Sequence, residues 1–391
     1  MAEPGLGGTA EPSLAVVAAP GAVRRRVGRI ARLTLAMGML VGGTAVLGAN
    51  GRLGVPFEHV TTLTGRLASV GDLFEDPRMT RLLRKHGLKV DTLTAGSREV
   101  ANGSLEGLDF VFPSGEDAAM QIKQTRQRQG RYDKDWHPFA SPLVLASYRP
   151  YADALAADGD ARATGPLYYS LDMARFLKLG TRTWQSIGFR TPGATSGNLV
   201  LAHTSDICQS NSADSYLGLI AFTFNGLRVP TGYPEADRLA ARMRDLVLRQ
   251  GVPGADLMTS YVSRSGPAID PVVVVYEHQF LAYQAAYRAA HGEPDDSRVL
   301  LYPSSQLLSR PSFIALDHRA DRLGELLASD PEIRRRETEL GYRVTGSEAL
   351  DGTLRKEHVP VPDPTAGGLT SAEMPDTPVL ERMIDGIKDC P

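Results

Sequence analysis

Two cysteines and seven lysines in 391 residues are the first shortages to notice in this chain. With only Cys208 and Cys390, a disulfide-built scaffold is excluded; the two thiols are either paired or free. No CxxC, HxH or HExxH spacing occurs among the Cys and the eight His, so no metal site and no cofactor is indicated. The lack of Lys is made up by 36 Arg, yet the formal net charge is −2, and beyond residue 50 it is −5. A mildly acidic body does not suit nucleic acid as a partner. There is no GxSxG turn and no convincing Ser/His/Asp order. No enzyme is expected, although a secreted hydrolase using a Ser with His203 or His278 is one alternative to weigh.

Long apolar runs are also scarce. The one that stands out extends without a charge from Leu33 to Ala49, preceded by Arg24, Arg25, Arg26, Arg29 and Arg32. Residues 1–29 read as a disordered basic leader and 30–50 as a transmembrane anchor or a cleavable signal segment. The Arg cluster keeps its side cytoplasmic, so the body is expected outside the cytoplasm, on the cell membrane or secreted. The apolar run does not end in Cys, which excludes an ordinary bacterial lipoprotein signal.

What is present after residue 58 alternates strand and helix. Residues 59–69, 88–94 and 108–112 read as strands, each followed by a turn of small residues: near Ser69 and Gly71, at Gly96–Ser97, and at Ser114–Gly115. Asp76–Pro77 and Asp330–Pro331 share one helix-start grammar, Asp as N-cap and Pro at the first position. Residues 141–148 read as a strand crossing to a second lobe. Residues 199–202 read as a buried strand, followed by a polar loop and a helix with Ser210, Asn211 and Ser212 at its start. Residues 271–276 (PVVVVY) are a β-branched run, buried on both faces and ending in Tyr276–Glu277–His278. Residues 346–391 lose periodicity and read as an extended tail that can form one last helix at 378–388. Strands alternating with helices predict α/β sheets, with ligands beyond the strands' carboxyl ends where helices begin.

These segments together resemble the type II periplasmic (extracellular) solute-binding proteins, in particular the molybdate- and sulfate-type branch. The run 299–343 carries the best match: a strand, LYPSS, a strand FIAL, a helix DRLGELLAS, Asp–Pro, a second helix and Gly341–Tyr342. SPLVLAS (141–147) is similar to the family's outward crossing, and VVVVYE to the strand whose terminal Tyr faces the cleft. AGS (95–97), FPSGEDA (112–118) and TSDICQSNS (204–212) are similar to its cleft-lining turns.

The resemblance implies a two-lobed fold of two mostly parallel sheets with flanking helices, and a hinge and cleft between them. Residues 58–142 and 304–345 would form lobe one and 143–303 lobe two. It implies capture of a small polar or anionic solute, for an ABC-type importer and its permease or as a membrane-anchored receptor, by a monomer that binds no nucleic acid. An envelope sensor or interaction module of the same fold is the alternative. The expected donors are Ser69, Gly71, Ser97 and Ser114 from lobe one, and Thr204, Ser205, Ser210, Asn211, Ser212, Tyr276 and Glu277 from lobe two. Neutral hydroxyls and backbone N–H groups suit an oxyanion or carboxylate. Asp206 and Glu277 would instead favour a ligand bearing a cation.

Overall fold

A computed structural model describes residues 60–190, 197–208, 210–252, 257–344, 349–366 and 370–390, with the side chains of 97–99 left aside. The expected leader and membrane or signal segment lie outside these residues. Among the described residues no helix is long and apolar enough to cross a membrane.

The first sheet is built from β1 (Thr61–Leu67), β2 (Leu88–Thr94), β3 (Phe110–Phe112), β4 (Asp135–Trp136) and a returning strand. Between them run α1 (Gly71–Glu75), α2 (Pro77–Lys85), α3 (Ser97–Asn102) and α4 (Glu116–Arg128). Helix α2 starts where Asp76 accepts the Met79 N–H at 2.7 Å, with Pro77 in the first turn. Both features stabilise a helix start, the first by capping a free donor and the second by presetting φ. The chain then enters β5 (Phe139–Tyr148), a ten-residue strand buried over nearly its whole length.

The second sheet half comprises α5 (Arg149–Ala157), β6 (Ala161–Ala163), β7 (Tyr168–Leu171), α6 (Met173–Lys178), β8 (Thr204–Ser205), α7 (Asn211–Phe224), α8 (Tyr233–Gln250) and β9 (Gly251–Val252). It continues with α9 (Leu257–Val262), α10 (Gly266–Ile269), β10 (Val272–Tyr276), α11 (Glu277–His291) and β11 (Arg298–Pro303). The return runs through β12 (Ser305–Gln306), β13 (Leu308–Ser309), β14 (Phe313–Ala315), α12 (Asp321–Ser329), α13 (Pro331–Glu339) and β15 (Arg343–Val344).

Sheet one has the order β2–β1–β3–β14–β4, with β1 parallel to β2 and β3, and β14 antiparallel to its neighbours. Sheet two has the order β10–β5–β11–β7–β6. It is mixed rather than mostly parallel. Strand β5 arrives from sheet one and lies antiparallel between β10 and β11, while β11 and β7 stay parallel. Each sheet has its own apolar core, one around Phe110, Phe112, Phe313 and Tyr342, the other around Trp184, Tyr216 and the Val run of β10. Both belong to one compact unit, Val60–Pro391.

Two local expectations change. Residues 199–202 form no strand. Residues 200–202 are buried, but the backbone bonds to the turns around Arg182 and Trp184: Val200 N–H donates to Arg182 O and Trp184 N–H to Asn198 O. An apolar run reports burial, and here burial comes from packing without a ladder. The described part of 346–391 is not an extended tail. It forms α14 (Ala349–Lys356), β16 (Thr370–Ser371) and α15 (Thr377–Ile387). Val379, Leu380, Met383, Ile384 and Ile387 are buried in the sheet-two core, a helical spacing inside a Pro- and Thr-rich context. Strand β16 pairs with β12, and Cys390 is disulfide-bonded to Cys208.

Candidate functional site

At the carboxyl end of β10 a cavity of about 140 Å³ opens between the two sheets. Ser69, from the turn after β1, faces it from the sheet-one side. Ser205 from β8, Ser210 and Ser212 from the start of α7, Tyr276 from the end of β10 and Gln279 from the first turn of α11 face it from the sheet-two side. Leu257, Met258, Val274 and Val275 complete the lining, and among the described residues no charged side chain belongs to it.

The hydroxyls are arranged around α7. Ser210 is its N-cap residue but makes no side-chain cap bond; its Oγ pairs with Ser212 Oγ at 2.8 Å. Asn211 Nδ2 donates to Tyr276 Oη at 3.1 Å and to Ser215 Oγ at 3.4 Å. Burial pushes the Tyr276 phenol up, outweighing hydrogen bonds with Asn211, Ser215 and Ser309, so it stays protonated at neutral pH. Gln279 Oε1 accepts the Tyr276 N–H at 3.0 Å and so fixes that turn. On the other side Ser69 N–H donates to Ser114 Oγ at 2.9 Å, and Ser309 Oγ donates to Ser114 O at 2.7 Å. Gly115 follows, and a side chain there would collide with Asn211 Oδ1. Only glycine lets this turn come against the start of α7.

Of the expected donors, five line the cavity: Ser69, Ser205, Ser210, Ser212 and Tyr276. Asn211 and Ser114 support them from behind. Gly71 opens α1 and lies outside the lining. Thr204 is buried on the opposite side, its Oγ1 donating to Ser205 O at 2.5 Å, beside Tyr216 and Gln250. Ser97 opens α3, and its side chain falls outside the described residues.

Glu277 is set apart from the cavity. It is fully buried; Arg343 grips both its oxygens at 2.6 and 2.8 Å, and Tyr302 Oη donates to Oε1 at 2.5 Å. Its charge is spent where β15, returning from sheet one, meets α11. Asp206 is likewise paired, with Lys388, and accepts the Cys208 N–H at 2.9 Å. Burial alone would raise the Asp206 carboxyl, but these partners hold it below its usual range. Neither carboxylate is left for a cationic ligand.

Sequence reading named Gly115 only as part of a small-residue turn, not as a site residue, and missed Gln279. Gln279 could have been found as the third residue of the turn that follows Tyr276. Gly115 gives no signal beyond a glycine at a helix start.

Among the described residues two Ser/His/Asp groupings occur. His203 Nδ1 lies 2.6 Å from Asp270 Oδ1, but Ser260 donates to the same carboxylate rather than to the imidazole. His278 Nδ1 meets Ser141 Oγ at 3.0 Å, and Nε2 lies 3.7 Å from Asp72 Oδ2. Both Ser141 and His278 are buried. Burial holds the His278 pKa low, against Asp72 and Glu277, so the ring is neutral and stacks on Tyr342 at 4.1 Å. Among the described residues no group of three or more His, Cys, Asp or Glu could hold a metal ion.

Among solved structures, the chain is similar to the substrate-binding protein of an ABC transporter from Agrobacterium tumefaciens, with 12% identity over 85% of this chain and 96% of that one and a TM-score of 0.50. It is also similar to iron-bound HitA from Pseudomonas aeruginosa (13% identity, 83% and 99% covered, TM-score 0.49). A third is the sulfate-binding protein SubI from Mycobacterium tuberculosis H37Rv (16% identity, 80% and 94% covered, TM-score 0.48). No protein family and no curated protein matches the chain. At 12% identity the likeness to the Agrobacterium protein shows a shared fold and nothing finer.

Proposed function

We propose that this chain is an extracytoplasmic solute-binding protein that captures a small polar or anionic solute between two lobes. The lobes are centred on the two sheets. The observation that carries the reading is the cavity itself, where neutral hydroxyls from both sides converge and, among the described residues, no charged side chain lines it. A solute held there touches both lobes and therefore favours the closed arrangement over the open one.

The volume limits the solute. The cavity measures about 140 Å³. That is room for a handful of liquid waters and falls below the size of drug-sized pockets, so the solute has only a few heavy atoms. Hydroxyls can donate without carrying a charge, and the start of the 14-residue helix α7 adds a favourable dipole. Both features suit an oxyanion or a small carboxylate. Asp206, bound to Lys388, and Glu277, bound to Arg343, offer a cationic solute no free counter-charge.

The Cys208–Cys390 disulfide agrees with an oxidising compartment outside the cytoplasm. In this reading the N-terminal apolar segment anchors or exports the body, and the protein serves an ABC-type importer or acts as an anchored receptor. The test is thermal unfolding of the full chain against oxyanions, small carboxylates, amino acids and sugars. A solute at about 100 times its Kd adds roughly 2.7 kcal/mol and raises Tm by several degrees. A folded protein that no member of the panel stabilises would count against the proposal.

A further inference from the structure

We infer that the C-terminal segment carrying β16 and α15 is a strap that positions the sheet-two wall of the cavity. The inference rests on the solute-binding reading for its purpose, but its structural content can be tested without any ligand. The wall depends on a short loop, residues 204–212, that brings Ser205, Ser210 and Ser212 to the cavity. Among its described residues only Thr204–Ser205 are in a strand; β8 pairs with the two residues of β9, and His203 just before it bridges to Val273 of β10. Inside the loop, Asp206 accepts the N–H groups of Cys208 and Ser210, and the N-cap Ser210 makes no side-chain cap bond.

Two links from the far end of the chain supply what the loop lacks. Lys388 pairs with Asp206, and Cys390 is bonded to Cys208 across a sequence separation of 182. Both links leave the end of α15, which is itself anchored. Its apolar face is buried in the sheet-two core, and Arg382 grips Asp237 of α8 at 2.6 and 3.0 Å. Upstream, Met374 lies so close against Gly218 of α7 that a side chain at 218 would collide with its sulfur. The strap thus holds the loop at 206 and 208 and the helix at 218, on either side of Ser210 and Ser212. A segment serving stability alone has no need to place its covalent link and its terminal cation in the very loop that carries the cavity hydroxyls.

The test compares three variants of the full chain: Cys208→Ser with Cys390→Ser, Lys388→Met with the disulfide intact, and Leu83→Ala in the sheet-one core as a control of comparable lost stability. Amide hydrogen exchange is followed without ligand, well below each Tm. The strap predicts at least about tenfold faster exchange at residues 205–208 and 210–214 in the double variant, a smaller rise in Lys388→Met, and unchanged protection in β1 and β3. Leu83→Ala should show the reverse distribution. Titration with inorganic sulfate is the second readout, with affinity expected to fall about tenfold in the double variant and to hold in Leu83→Ala. Unchanged exchange at 205–214 in the double variant, or a loss spread evenly over the molecule, overturns the inference whatever sulfate does. If the wild type ignores sulfate while the exchange result appears, the strap stands and the choice of solute is what fails.

Discussion

Two polar regions lie side by side at the end of β10, and they use opposite chemistry. Tyr276 faces the cavity, among serine hydroxyls and, among the described residues, no charged side chain. Glu277, the next residue, faces the seam between the sheets, locked to Arg343 and Tyr302. Beside it His278 stacks on Tyr342, whose hydroxyl donates to Asp72 of α1 at 2.7 Å. The seam therefore holds the two halves together with buried, directional and charged contacts. The cavity keeps uncharged groups that can exchange water for a solute at little cost. A buried ion pair is costly to break and so holds a joint, whereas hydroxyls with local partners remain available to a ligand.

The largest effect should come from the seam, where Arg343 is the counter-charge of Glu277. Arg343→Met leaves that carboxylate buried and unpaired, and denaturant unfolding should register a loss of about 3–5 kcal/mol. A cost under about 1 kcal/mol, the range of an exposed pair, would erase the contrast between seam and cavity. Next, Gly115→Val pushes Asn211 away from Tyr276 or holds the halves apart. Calorimetry should then show solute affinity reduced roughly a hundredfold, with the unliganded Tm nearly unchanged. Ser210→Ala combined with Ser212→Ala should cost about 1–3 kcal/mol of binding. Because Ser210 makes no cap bond, unfolding of the unliganded double variant should stay close to wild type.

The smallest effect concerns pH at the edge of the joint. Burial, helped by Glu116, Asp376 and Glu381, pushes the Asp117 carboxyl from 3.8 up to about 6. The folded state then holds a proton that the unfolded state has released between about pH 4 and 6. Stability supplied by that proton is present at low pH and lost as pH rises through this window. Asp117→Asn should remove the loss, gaining up to about 2 kcal/mol at pH 7.5 relative to pH 4.5, with solvent screening reducing the figure. Parallel unfolding curves at the two pH values would show that the carboxyl is not under this pressure.

Much of the sheet-one side was legible because its signals are local. Asp76–Pro77 and Asp330–Pro331 start helices as read, each Asp accepting first-turn N–H groups. The additional grip of Arg336 on Asp76, at 2.6 and 2.8 Å, spans 260 residues and left no trace in the local pattern. The turns carrying Ser69 and Ser114 were read from strand ends, and the α7 serines from a helix start. What stayed hidden depends on distant partners. Tyr276 and Glu277 looked alike as polar residues leaving a buried strand; Arg343 decides between them. The segment before α15 looked extended because it is rich in Pro, Gly and Thr; the helix itself, at Thr377–Ile387, falls on the 378–388 span read as a possible last helix, and what stayed hidden is that its apolar face packs into the sheet-two core. Cys208 and Cys390 could be read only as two thiols, paired or free, until the structure brought their chain segments together.

The most direct test of the central claim is calorimetric titration of the full chain with the strongest stabiliser found by thermal unfolding, alongside Gly115→Val and Ser210→Ala/Ser212→Ala. A solute held between the two sides must draw on both, so each variant alone should weaken binding about tenfold or more while remaining folded. Undiminished binding in both would place the solute elsewhere and contradict the account.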